Sequence, residues 1–115
     1  MDPTCLFCKI AAGIAPAQIV YQDDRATAFQ DIQPQASTHI LVVPNEHVES
    51  LNAAEHTETE LLGLLLRVAT RVARDAGIDR SGYRVVINTG PDSGQSVFHL
   101  HLHVLGGNRL HLPLG

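Results

Sequence analysis

The 115-residue chain predicts an α+β domain: a mainly antiparallel five-stranded sheet, one long helix and a short N-terminal helix. Three observations carry this. Strand-like runs come first, and a long apolar-striped helix separates the third strand from the fourth without regular β-α-β alternation. Phe98-His99-Leu100-His101-Leu102-His103-Val104 alternates apolar and polar residues with the period of a half-buried strand. The length, finally, suits a single core, so residues 1–115 read as one domain.

Each element has its own signal. Pro3 and Thr4, then Cys5 to Ala12 and Gly13, read as a short capped helix with a C-terminal glycine. Gln18 to Gln22 and Ala26 to Asp31 are strand-like, split by a turn at Asp23-Asp24-Arg25. His39 to Val43 forms a third strand closed by Pro44, with Ile40 and Val42 on one face and His39, Leu41 and Val43 on the other. Thr57-Glu58-Thr59-Glu60 has the form of a capping box and opens the long helix, which ends near Ala76 with Gly77 as its cap. Leu61, Leu65, Val68, Val72 and Ala76 give that helix an apolar stripe, which Leu62, Leu66, Ala69 and Ala73 broaden enough for two contacts, the sheet and a second subunit. Arg67, Arg71 and Arg74 form the solvated face opposite. Ile78 to Gly82 connects to a fourth strand, Tyr83 to Asn88; the histidine-bearing segment is the fifth, and Gly106-Gly107 releases the chain into a tail.

The fifth strand carries the chemistry. Phe98, Leu100, Leu102 and Val104 would bury toward a core, leaving His99, His101 and His103 along an open surface at intervals of roughly 6.6–6.8 Å. Histidine changes charge near neutral pH, and its neutral ring offers one nucleophilic nitrogen. A single three-histidine metal site is disfavoured, because His99 and His103 would lie roughly 13 Å apart on an extended strand. Before the strand, Asn88-Thr89-Gly90-Pro91-Asp92-Ser93-Gly94-Gln95-Ser96 is a glycine-containing polar loop of the kind whose amides cradle anions, although an ordinary turn has the same composition.

Composition narrows the classes of function. Hydrophobic content of 44% with 17% charge is that of a globular protein. A net charge of −4 gives no drive toward polymeric nucleic acid or an anionic membrane, while a small nucleotide remains compatible with a local site. There is no basic segment followed by an apolar run and a cleavage site, and no apolar stretch of membrane-spanning length, so a cytoplasmic protein is expected. Cys5-Leu6-Phe7-Cys8 is readable as a redox dithiol, a structural disulfide, half of a zinc site or two reduced thiols packed under the N-terminal helix. Without a secretory signal the disulfide is the weakest of these.

These residues resemble a known family. His99-Leu100-His101-Leu102-His103-Val104 matches the His-x-His-x-His-apolar signature of the histidine triad superfamily, and Gly94-Gln95-Ser96-Val97-Phe98 resembles its branch of purine nucleoside phosphoramidate hydrolases. Asp31-Ile32-Gln33-Pro34-Gln35-Ala36-Ser37-Thr38-His39-Ile40-Leu41-Val42-Val43-Pro44 is similar to that branch's nucleoside-binding segment, and the likeness runs from about Phe7 to the last glycine. The resemblance implies the histidine triad fold as a homodimer whose sheet continues across the twofold axis. It implies a structural zinc held by Cys5, Cys8, His47 and His99. It also implies a catalytic set of His101, His103, His39 and Ser96, and a nucleotide site formed by Asp31, Ile32, Asn88, Gly94, Gln95, Ser96 and Val97 with His101 and His103.

The implied reaction is hydrolysis of the P–N bond of a purine nucleoside 5′-monophosphoramidate. His101 attacks the α-phosphorus and is held in the right tautomer by a backbone carbonyl near His99. Asp31 accepts from the ribose diol with Ile32 beside it, and Ser96 assists the leaving amine. Two alternatives stand beside this: a dinucleoside polyphosphate hydrolase, and a zinc-stabilised module that binds a nucleotide or a partner without turnover. The tail departs from the pattern, since Leu112-Pro113-Leu114-Gly115 stands where related hydrolases carry Trp-Pro-Pro-Gly, which bears on leaving-group preference. His56 and His111 have no assigned role.

Overall fold

The computed structural model describes residues 2–111, and the tail at 112–115 lies outside them. Five strands, β1 (Ile19–Gln22), β2 (Ala26–Gln30), β3 (Thr38–Pro44), β4 (Tyr83–Ile87) and β5 (Leu102–Gly106), form one antiparallel sheet in the order β1-β2-β3-β5-β4. The expected α+β architecture is present, with helices α1 (Leu6–Ala11) and α2 (Thr59–Asp75).

Period-two alternation in the central strands gives the sheet two apolar faces. Ile40 and Val42 of β3 and Leu102 and Val104 of β5 join Leu61, Leu65, Val68 and Val72 of α2 in the main core. Leu41 and Val43, one residue out of phase, pack on the opposite face with Phe29 and with Phe7, Cys8 and Ile10 of α1. The sheet thus lies between a long helix and a short one. Because Leu41 pairs with His103, the histidine side of β5 faces the layer that α1 covers.

Several boundaries differ from the sequence expectation. The Cys5 backbone is extended, so Cys5 is the N-cap of α1 and its sulfur accepts from the Cys8 amide at 3.4 Å; the helix begins at Leu6. No capping box forms at α2. The Thr57 hydroxyl donates instead to the Ala54 carbonyl at 2.9 Å, closing a 3₁₀ turn at Ala53–His56, and Glu58 caps the helix without a side-chain bond. At the other end Gly77 takes φ +77°, and Ala76, already past the helix, is exposed rather than part of the buried stripe.

The largest departure is in the triad segment. Regular pairing begins only at Leu102, opposite Val42, and Phe98 is 56% exposed instead of buried. The ladder stops because β3 ends at Pro44, which has no N–H to extend it. The chain before Leu102 leaves the sheet, and the Leu100 amide donates to the Val48 carbonyl at 2.6 Å. Leu100, Leu102 and Val104 nevertheless keep their alternation and are buried. At the end of β5, a Cβ on Gly106 would meet the Gly82 carbonyl oxygen at 3.1 Å and Ile78 Cδ1 at 2.9 Å, so this close crossing requires glycine.

Candidate active site and metal centre

The three triad histidines do not share one environment. His99 and His101 are buried and His103 is half-buried, so the expected open row is covered, with the Phe7 ring edge-on to His101 at 5.2 Å and to His99 at 6.0 Å between centroids. Each ring meets a different partner, and each partner dictates where its proton sits.

His99 turns toward the cysteines. A carbonyl only accepts, so the 2.8 Å contact between His99 Nε2 and the Pro44 oxygen places the ring proton on Nε2. Nδ1 then presents its lone pair to Cys5 Sγ at 3.2 Å and Cys8 Sγ at 3.5 Å. His47 Nδ1 completes the group, 3.4 Å from Cys8 Sγ, and all four donor atoms lie within 4.8 Å of one another. A tetrahedron with Zn–S near 2.3 Å and Zn–N near 2.0–2.1 Å has edges of about 3.3–3.8 Å, close to these separations, and two sulfurs with two imidazole nitrogens are an ordinary zinc donor set. Burial lowers the His99 pKa to about 4, which keeps the ring in the neutral form that ligates, and raises the Cys8 thiol, which must give up its proton to ligate. The residues present fit the ion, and His99 is oriented for it by Pro44, a backbone partner of the kind that fixes ligating histidines.

His101 lies against the next carbonyl. Its Nδ1 is 2.7 Å from the His99 oxygen, so Nδ1 carries the proton and donates, and Nε2 keeps its lone pair. His101 and His103 both line a cleft of about 410 Å³ between α1 and the end of β2. Asp31, Ile32, Ser96 and Val97 line it as well, which brings six of the expected nucleotide-site residues around one space. Its remaining wall is mainly apolar, from Leu6, Phe7, Ile10, Phe29 and Leu41, with Gln30 and Gln33 beside Asp31.

The other expected residues stand outside that cleft. Asn88 donates to the Ser93 carbonyl at 3.0 Å and staples the loop. Gln95 is buried with its amide fully engaged: the oxygen accepts from Gly90 N at 2.9 Å, and the nitrogen donates to the Glu49 and Val97 carbonyls at 3.0 and 3.1 Å. Gly94 takes φ +85° after a 3₁₀ turn at Pro91–Ser93. These three shape the loop that delivers Ser96 and Val97. His39 is buried behind His103, with Nε2 2.9 Å from His103 Nδ1 and 3.4 Å from an Asp31 oxygen. The other Asp31 oxygen accepts from Gln33 N at 2.8 Å, so Asp31 also starts the turn through Pro34. Ile32 is 91% exposed at the rim.

Sequence reading missed the wall. Phe7 and Ile10 sit three apart on α1 and carried a helical signal, but nothing in the sequence said which surface they would cover. The carbonyls of Pro44 and His99 carry no side-chain signal at all.

The HIT domain family matches residues 12–110. The chain is 45% identical over 115 residues to the purine nucleoside phosphoramidase of Escherichia coli, covering all of this chain and 93% of that protein. It is 46% identical to the 14 kDa zinc-binding protein of Zea mays, over 99% of this chain and 90% of the other. A crystal structure of a HIT family hydrolase from Legionella pneumophila superposes with a TM-score of 0.93 at 44% identity, covering 97% of this chain and 100% of that one. The fold, the histidine geometry and these likenesses agree, and the chain belongs to the HIT family of histidine triad hydrolases.

Proposed function

We propose that the protein hydrolyses purine nucleoside 5′-monophosphoramidates through a covalent nucleotidyl-His101 intermediate. The observation that carries this is the pairing of His101 Nδ1 with the His99 carbonyl at 2.7 Å, which leaves a nucleophilic Nε2 at a cleft that ends in Asp31. The apolar wall suits a base, the Asp31 carboxylate a ribose diol, and the Ser96 hydroxyl and His103 ring the phosphoryl oxygens.

In the first step the His101 Nε2 lone pair forms a bond to the α-phosphorus while the P–N bond to the amine breaks. The amine leaves with a proton relayed from solvent through the Ser96 hydroxyl, which ends neutral. In the second step water attacks the same phosphorus, releases one proton to solvent, and the imidazole–phosphorus bond breaks, which returns neutral His101 and the nucleoside monophosphate. Phosphoryl transfer of this kind depends chiefly on positioning and charge stabilisation. Cys5, Cys8, His47 and His99 are the residues that would hold zinc, whose bonds would tie α1 to the segment preceding His101; the chemistry requires no cofactor. The zinc-binding protein of maize supports that occupant.

The proposed assembly is a homodimer in the cytoplasm, with no nucleic acid polymer and no membrane as partner. β4 is a terminal strand of the sheet with Val85 exposed, and Leu66 on α2 is 51% exposed, which supports continuation of the sheet through a second copy. No helix among the described residues is long and apolar enough to cross a membrane.

The test is release of AMP from an adenosine 5′-phosphoramidate of a primary amine, by wild type and His101→Ala, with and without chelator. Release by wild type that His101→Ala loses and chelator spares in the folded protein is the expected result. Release by folded His101→Ala would overturn the nucleophile. Turnover of a diadenosine polyphosphate alone would move the function to that class, and AMP binding without any turnover would make the protein a binding module.

A further inference from the structure

Across the sheet from the cleft, the arginines of α2 form more than the plain solvated face expected of them. Arg67, Arg71 and Arg74 stand four and three residues apart, so they leave one face of the helix over roughly 10.5 Å of its length. They are three of the eight lysines and arginines in a chain of net charge −4. With Tyr21 of β1 they rim a hollow of about 210 Å³ floored by Leu64 and Val68. Tyr21, Leu64 and Val68 pack in the main core under α2, whereas Phe7, Phe29 and Leu41 of the cleft wall lie on the other side of the sheet. The two concavities are therefore separate.

The donors of this hollow are ordered and largely unused. The Tyr21 hydroxyl donates to Asp23 at 2.5 Å, which anchors the ring, and the Arg71 guanidinium lies over that ring, 5.9 Å from its centroid. Arg71 meets Asp75 through Nε at 3.1 Å, a contact that does not use its two terminal nitrogens. Arg67 and Arg74, on either side, have no side-chain hydrogen bond or ion pair among the described residues. The nearby carboxylates are engaged already: Asp75 by Arg71, and Asp23 by Tyr21 and by the amides of Arg25 and Ala26 at 2.7 and 2.8 Å. The Thr70 hydroxyl donates to the Arg67 carbonyl at 2.7 Å, which leaves the guanidiniums as the free donors of the rim. Opposition to the helix macrodipole accounts for Arg74, in the last turn, but not for Arg67 two turns earlier.

We propose that this hollow is an anion site for a short inorganic phosphate chain, a diphosphate or triphosphate, held by the three guanidiniums. Each guanidinium is a planar fork of donors that matches phosphate oxygens. One fork satisfies a single carboxylate, whereas a phosphate chain carries enough outer oxygens to accept from all three. The hollow is smaller than the roughly 300–1,000 Å³ of sites that enclose drug-sized ligands, so it has no place for a nucleoside. Its apolar floor keeps water from one side of the anion and strengthens the attraction. None of this depends on the nucleotide reading of the cleft.

The test is an NMR titration with tripolyphosphate at an ionic strength of about 50 mM, with AMP present in excess to occupy the cleft. It follows the guanidinium N–H resonances of Arg67, Arg71 and Arg74 and the Tyr21 ring. Those four residues should shift saturably. The double variant Arg67→Gln with Arg74→Gln, at two exposed positions, should weaken binding about tenfold or more, and its own spectrum reports whether it is folded. Lysine at the same two positions keeps the charge without the forks and should weaken binding about threefold. ATP should bind here less tightly than tripolyphosphate. The proposal is overturned by shifts that sodium chloride reproduces at equal ionic strength, by no saturable shift, or by undiminished binding in either double variant. Tighter binding of ATP would reassign the hollow to a nucleotide, and tighter binding of a polyglutamate peptide to an acidic protein segment. Failure of AMP to bind would count against the proposed substrate and leave this titration readable, because the shifts are assigned residue by residue.

Discussion

Three imidazoles at alternate positions acquire three different roles because each meets a different main-chain or ring partner. His99 donates a hydrogen bond to the Pro44 carbonyl and turns a bare nitrogen to two sulfurs; His101 donates one to the His99 carbonyl and turns a bare nitrogen to the cleft; His103 accepts one from His39. His101 also depends on Phe7, whose ring meets it edge-on at 5.2 Å and fills the space beneath it. An aromatic contact of this kind contributes about 0.5–1.5 kcal/mol beyond its buried area. Phe7→Ala should therefore loosen the His101 ring as well as open the cleft wall, lowering kcat/KM about tenfold or more in phosphoramidate hydrolysis. Unchanged kinetics in the folded variant would show that the His99 carbonyl alone holds the ring.

At the level of elements, α1 is too short to be stable by propensity and is held by what it touches. Its N-cap is Cys5, its buried face is Phe7, Cys8 and Ile10, and the two cysteines reach His99 and His47. Loss of a ligand should then cost stability in α1 before it costs chemistry. With zinc at the proposed site, Cys8→Ser should lower the zinc content found by elemental analysis and drop Tm on the order of 10 °C, while activity in the folded state persists. The opposite face rests on α2, where Leu65 is fully buried against β3 and β5. Leu65→Ala should destabilise by about 2–5 kcal/mol in urea denaturation. The elements were mostly legible in sequence: all five strands and both helices lie close to their expected places, because period-two and helical patterns are local. What was not legible is where pairing stops. The triad segment alternates from Phe98, yet β5 begins at Leu102, since the strand beside it ends at Pro44.

Across the whole molecule, the buried histidines make stability depend on pH. His99 and His103 are lowered from 6.5 to about 4 in the fold, and His39 is lowered as well. Between about pH 4 and 6.5 the unfolded chain therefore binds more protons than the native one, so stability rises with pH across that window and is lost as pH falls through it. Calorimetry should show Tm falling steadily from pH 6.5 to 4.5, and a flat Tm over that range would mean that these rings titrate normally in the fold. The same window bears on the site, because protonation of His103 would put the ring's second proton on Nδ1, the nitrogen that accepts the His39 bond, and break that bond.

The sequence by itself determined the strand and helix pattern, the two faces of β3, the histidine row and the family to which the chain belongs, because these are carried by side-chain type and spacing. Tertiary structure alone decided that the row is covered and not open, that Phe98 is exposed, and that Asn88 and Gln95 are engaged in building a loop. It also decided the tautomers of His99, His39 and His103, and set the His101 Nδ1 against the His99 carbonyl at 2.7 Å, in the place where the family resemblance implies a backbone acceptor. The physical reason is that a ring's proton is placed by its nearest acceptor or donor, and here those partners are the carbonyls of Pro44 and His99 and the amide of Gln35, groups that every residue carries and that only the folded path of the backbone brings to the rings.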